Sequence, residues 1–74
     1  MLMTDIKPGK QAVITDLTKL DKLAHKRLLD LGVYEGETIR LLASFPFGGP
    51  YLFEVSGQRI GIRRFDAGRI GVEG

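Results

Sequence analysis

One histidine, nine carboxylates, eleven basic side chains and no cysteine are what this sequence offers for chemistry. The missing Cys removes disulfides, thiolate zinc sites, cysteine-held iron–sulfur clusters and thiol nucleophiles together. A Ser–His–acid triad would have to run through His25 alone. No Gly-x-x-x-x-Gly-Lys-Ser/Thr or Gly-x-Gly-x-x-Gly segment is present to cradle phosphates. A chain of 74 residues also has little room for a cleft that could desolvate a pair of carboxylates. The expectation is therefore a protein that is not an enzyme and has no catalytic residues.

Two residues have metal-ligand chemistry at a usable spacing. Asp21 and His25 are four apart, and a carboxylate with a neutral imidazole suits a divalent ion. Two ligands make a weak site, and an i,i+4 acid–base pair in water explains the same spacing. No intrinsic cofactor is expected, and any association with a divalent ion would rest on these two side chains. The net charge is only +2, too mild to indicate nucleic acid by itself. Arg40, Arg59, Arg63, Arg64 and Arg69 could gather into a basic patch, and small barrels do bind nucleic acid. Stacking aromatics are few, however: Tyr34, Tyr51 and Phe65 could serve, whereas Phe45 and Phe53 are expected in the core. A basic nucleic-acid-binding barrel stands as the alternative reading.

The elements that must position these residues follow from apolar period. Lys7-Pro8-Gly9-Lys10 reads as a turn, and Gln11-Ala12-Val13-Ile14-Thr15 as a first strand. Leu20, Leu23, Ala24, Leu28 and Leu31 then recur at three- and four-residue steps, the stripe of an amphipathic helix. Gly32 is its expected end, with Val33 folding back onto the last turn. After Gly36 the period becomes two, which sets Ile39, Leu41, Ala43 and Phe45 on one face of a strand. Pro46-Phe47-Gly48-Gly49-Pro50 breaks it as a loop. Tyr51–Val55 and Gln58–Arg63 form a hairpin about Ser56-Gly57. Phe65-Asp66-Ala67-Gly68 is a short turn before a last strand, Arg69–Glu73, with Ile70 and Val72 inward.

One domain covering 1–74 is expected, mainly β, a small barrel of about five strands with one helix after the first. Closure would pair the sheet edges, and Gly61 and Gly71 would permit the bends. The expected core is Val13, Leu28, Leu31, Ile39, Leu41, Phe53, Val55, Ile60, Ile62, Ile70 and Val72. Truncating Leu31 to Ala should on this basis cost ~2–5 kcal/mol. An acid at Asp5 precedes any apolar stretch, which argues against a signal peptide, and no apolar run nears the ~20 residues of a membrane span. A soluble, cytoplasmic protein is expected.

With catalysis set aside, the exposed residues become candidates for docking. Arg27 falls within the leucine stripe, so its stem should pack on the barrel while the guanidinium pairs with a carboxylate or strand-end carbonyls. The alternative role is a clamp on an acidic partner group. Leu29 projects away from the stripe beside Lys22, His25 and Lys26. Together with Phe47 in the loop it is the leading contact candidate, because apolar anchors rimmed by charge suit partner binding. Lys26, Arg27, Leu29, Phe47 and Tyr51 make up the expected partner-binding set.

The residues in order also resemble a known family, the FeoA-like domain. Arg27-Leu28-Leu29-Asp30-Leu31-Gly32-Val33-Tyr34-Glu35-Gly36 is similar to its signature of Arg-Leu, two residues, Leu-Gly, an apolar residue, two residues and Gly. Ile39-Arg40-Leu41-Leu42 resembles the family's second strand, and the Pro-Phe-Gly-Gly-Pro loop its central hairpin loop. Val55, Gly57, Ile60, Ile62, Arg63, Ala67 and Ile70-Gly71-Val72 resemble its closing pattern. Two positions depart: Gly49 directly precedes Pro50, where the family often has an acid between, and Gly61 stands where a small residue with a Cβ is usual. The resemblance implies an SH3-like barrel that assists a membrane transporter of ferrous iron, FeoB, by contacting its cytoplasmic G-protein or core region. It implies no nucleic acid partner, and leaves self-association open.

Overall fold

The computed structural model describes residues 1–74. Its strands are β1 (Gln11–Asp16), β2 (Thr38–Ser44), β3 (Tyr51–Val55), β4 (Gln58–Ile62) and β5 (Gly71–Glu73). The helix α1 (Lys22–Asp30) follows β1, and a single helical turn, α2 (Arg64–Ala67), stands where the sequence suggested a plain turn. All five strands join one antiparallel sheet in the order β4-β3-β2-β1-β5. This is the mainly β, SH3-like arrangement expected, with one difference. The ladder does not close between β4 and β5. The β5 edge is covered by the N-terminus instead: Val72 donates to the Met1 carbonyl (2.8 Å) and Met3 to the Ile70 carbonyl (2.9 Å). The β4 edge has no strand beside it.

Alternation and burial agree along β3, where Tyr51, Phe53 and Val55 point inward, and Ile60 joins them from β4. Ser56 and Gly57 both take left-handed dihedrals (φ 49° and 79°), the two-residue turn whose twist matches that of the strands. On β1 the expected face is reversed. Ala12 pairs with Ile39 and both are buried, so Ala12 and Ile14 face the core and Val13 is 38% exposed. An unbroken Ala-Val-Ile run carries no alternation from which to choose the face. On β2 a bulge intervenes: Leu41 pairs with Phe53 but Ala43 pairs with Leu52, leaving Leu42 as the extra residue. The bulge inverts the parity beyond it, so Ser44 rather than Ala43 lies across from Tyr51, and Phe45, expected on the same face as Leu41, is exposed.

α1 starts at Asp21, whose carboxylate accepts the Ala24 N–H (2.8 Å). That bond satisfies one of the orphan donors of the first turn. It ends as the sequence indicates: Gly32 is left-handed (φ 85°), and Val33, fully buried, donates to the Leu28 carbonyl (2.9 Å). The helix rests on the barrel through Leu28, with Leu20 and Val33 at its two ends and Ala24 half-buried. The remaining stripe leucines do not reach the core. Leu23 is 71% and Leu31 40% exposed, because so short a barrel covers only a narrow band of the helix. Met3, Leu17 and Ala67 complete the core, while Ile62 only packs against it half-buried.

Candidate functional site

The exposure of Leu23 and Leu31 is what builds a surface. Residues 23, 27 and 31 are spaced by four and share a helix face, so the two leucines flank Arg27 in one row. That row forms one wall of a groove of about 270 Å³ whose other wall is Ile60-Gly61-Ile62 of β4. Arg63 and Asp66 stand at one end, locked together by two bonds, Nε to Oδ2 (3.0 Å) and Nη2 to Oδ1 (3.2 Å). This pairing holds the Arg63 guanidinium above its ordinary range, since hydrogen bonding and charge from Asp66 outweigh desolvation. At the other end Gln58 Nε2 donates to the Leu31 carbonyl, tying the helix terminus to the start of β4.

Arg27 is not paired as the sequence suggested. It is exposed and enters no hydrogen bond or ion pair, so its charge faces the groove free. Lys26 is instead held by Asp30 (3.0 Å), both well exposed, a pair worth no more than ~0.3–0.5 kcal/mol. Leu29 is 37% exposed on the opposite side of α1, outside the groove. Tyr51 needs the plainest correction. It is buried at 4% exposure, and its hydroxyl receives the Arg64 Nη1 (3.2 Å), so it belongs to the core and cannot anchor a partner. Its inward position follows from the β3 alternation that also buries Phe53 and Val55.

Phe47 is fully exposed at the tip of the β2–β3 loop, with a left-handed backbone (φ 60°) followed by Gly48 (φ 76°). Gly49 N–H closes the turn on the Pro46 carbonyl (3.1 Å), and a Cβ at Gly49 would lie 2.8 Å from that of Phe45. A bulky residue at positive φ is an outlier for its type, and such strain clusters at functional positions. The structure does not join Phe47 to Leu29. The Leu31 carbonyl meets Gln58 at the start of β4, whereas the Phe47 loop springs from Tyr51, which pairs with Ile62 at its end. The end of α1 and the Phe47 loop therefore lie at opposite ends of β4, a strand about 13 Å long at ~3.3 Å per residue.

The metal pair does not form a cage. The Asp21 carboxylate is occupied with the helix cap, and nowhere do three His, Asp or Glu side chains come together as a metal would need. Of the five arginines considered as a basic patch, four have internal partners. Arg40 donates to the Gly9 carbonyl, Arg63 to Asp66, Arg64 to Tyr51 and the Phe45 carbonyl, and Arg69 lies 4.4 Å from the Phe65 ring centroid. Arg59 alone has none. The sequence had pointed to Leu29; the signal for Leu23 and Leu31 was present, but the stripe read as core.

Comparison with known proteins turns this geometry into a family assignment. The family described as the FeoA domain matches residues 1–74. The chain belongs to the FeoA family. It is 30% identical over 73 residues to a protein of Porphyromonas gingivalis, described as a fusion of Fe(2+) transport protein A with the Fe(2+) transporter FeoB. That match covers 99% of this chain but only 8% of the fusion. The solution structure of a FeoA protein from Chlorobium tepidum superimposes with a TM-score of 0.91 at 29% identity, over 99% of this chain and 69% of that one. FeoA of Stenotrophomonas maltophilia, crystallised with zinc and described as a prokaryotic SH3 domain protein, is 31% identical with a TM-score of 0.75, covering 99% and 89%. Family membership links the chain to ferrous iron transport. No helix here is long and apolar enough to cross a membrane.

Proposed function

We propose that this FeoA chain is a cytoplasmic, non-catalytic interaction module that docks onto the cytoplasmic part of a FeoB-type transporter. The observation that carries the reading is the uncovered Leu23–Arg27–Leu31 row above the Ile60–Ile62 wall. Apolar side chains around an unpaired guanidinium are the composition of a partner-binding centre, where Arg and large apolar groups dominate the binding energy. Phe47, at the far end of β4, is a second anchor. A relative in which both proteins share one polypeptide supports FeoB as the partner, because fusion holds two domains at high effective concentration. Iron is the transporter's cargo in this account. Docking influences transport only if the module binds one transporter conformation more tightly than another.

Leu23→Asp tests the reading. The side chain is already mostly in water, so the variant should melt like the parent, while its affinity for the cytoplasmic region of the cognate FeoB falls at least tenfold. Equal affinity of the two proteins would remove the groove from the interface.

A further inference from the structure

The β4 edge carries hydrogen-bonding groups that nothing in the fold uses. A two-residue turn makes Val55 and Gln58 a bonded pair, and the register then makes Phe53–Ile60 and Tyr51–Ile62 bonded pairs as well. The N–H and C=O groups of Arg59 and Gly61 consequently point away from β3, toward the open side. Neither residue enters a backbone bond outside the ladder. An exposed strand edge is a template for another chain, and natural proteins blunt it or use it.

Gly61 sharpens this. At Gly71 a Cβ would lie 3.0 Å from the Asp16 Cβ, a tight contact, so packing favours glycine there. At Gly61 nothing lies within 4 Å of an added Cβ, and φ is not positive. Glycine within a strand weakens it and leaves β4 bare at this position, open to the approach of another chain. Charge selects what approaches. Arg27 on the helix wall and Arg59 on β4 beside the groove enter no hydrogen bond or ion pair, while the carboxylates of the groove are engaged, Asp66 by Arg63 and Asp21 in the α1 cap, so the site favours an acidic segment. A second copy paired through its own β4, centred on Gly61, would set Arg59 against Arg63 twice, a like-charge pairing that sheets disfavour.

We propose that the α1–β4 groove binds an extended, acidic peptide segment, which adds as a strand to the edge of β4 at Arg59 and Gly61. Its apolar side chains pack against Leu23 and Leu31, and its carboxylates meet Arg27 and Arg59. This rests on the interaction-module reading and specifies the chemistry of the partner's contact. The groove has room for one or two side chains, which suits a strand laid along it better than an enclosed ligand.

The test is a titration of the isotope-labelled full chain by NMR with three capped seven-residue probes: one alternating valine and glutamate, its counterpart methylated on alternate backbone nitrogens, and one alternating valine and lysine. Saturable binding of the first is expected, with exchange of the Arg59 and Gly61 amide protons slowed at least tenfold. The methylated and lysine probes should bind at least tenfold more weakly. Gly61→Pro, which deletes the outward N–H of an edge strand without removing a β3–β4 ladder bond, should still fold yet lose at least tenfold in affinity. No binding of the first probe, equal binding of the methylated probe, or unchanged exchange at both amides would overturn the proposal. Concentration-dependent protection of the same amides without peptide would put a second copy in the groove and overturn it as well. The FeoB cytoplasmic region, titrated in parallel, separates the two readings. Equal affinity for parent and a folded Gly61→Pro overturns strand addition alone, whereas no affinity for the parent overturns FeoB docking alone.

Discussion

Replacing Phe47 by glycine should make the domain no less stable while weakening its grip on the transporter. Phe47 is fully exposed and left-handed, so it contributes no burial to the fold and holds a conformation that costs an L-residue about 1–2 kcal/mol. Glycine relieves that strain but loses about 0.5–1 kcal/mol more backbone entropy on folding. The net is between zero and about 1.5 kcal/mol of added stability, or a rise of up to several degrees at ~4–8 °C per kcal/mol for a domain this size. Burying the ring in an interface is worth about 1.5–3 kcal/mol, so its removal should lower affinity by about 10- to 150-fold at ~1.4 kcal/mol per tenfold. Thermal denaturation followed by circular dichroism gives the first quantity, and isothermal titration with the FeoB cytoplasmic region the second. A melting temperature several degrees below the parent would refute the strain argument. Unchanged affinity in a folded variant would refute the anchor.

Leu28→Ala should cost ~2–5 kcal/mol, because this 2%-exposed side chain is the helix's main contact with the barrel. Leu31→Ala should cost about 1 kcal/mol or less, and equal denaturation midpoints for the two would contradict the placement of α1. Gly71→Ala forces a Cβ to 3.0 Å from the Asp16 Cβ and should destabilise by about 1–3 kcal/mol. Gly61→Ala should instead stabilise by ~0.4–1 kcal/mol, and urea unfolding distinguishes the signs. Asp16 accepts the Thr18 hydroxyl (2.6 Å) and backbone N–H (2.7 Å), and these bonds hold its carboxyl below the ordinary aspartate range. A depressed folded-state pKa gives stability that is complete above the unfolded value of about 3.9 and lost as pH falls through the folded one. Thr18→Ala removes the hydroxyl bond and keeps the backbone one, so it should partly flatten the acid limb of the melting profile, and superimposable acid limbs would show that the hydroxyl bond contributes nothing.

The sequence carried the hairpins and the helix terminus clearly, since both rest on local chemistry. Gly32 with Val33, and Ser56 with Gly57, adopt the dihedrals and bonds their residue types favour. What escaped was decided elsewhere in the chain. Val13 points outward because Ala12 pairs with Ile39, and Phe45 because the bulge at Leu42 inverts parity. Leu23 and Leu31 fit a core stripe by period alone, but a barrel this short buries only the Leu28 band of α1. The groove was illegible for the same reason: it depends on the free edge of β4 facing a helix some thirty residues earlier in the chain. Asp21 caps α1 through one carboxylate oxygen, a use that the sequence analysis did not assign to it.

The most direct measurement is the affinity between this chain and the isolated cytoplasmic region of its cognate FeoB, by isothermal titration with and without guanine nucleotide. The account predicts saturable one-to-one binding in at least one nucleotide state, abolished or strongly weakened by Leu23→Asp in a protein that still folds. Heat of dilution alone in every nucleotide state would contradict it.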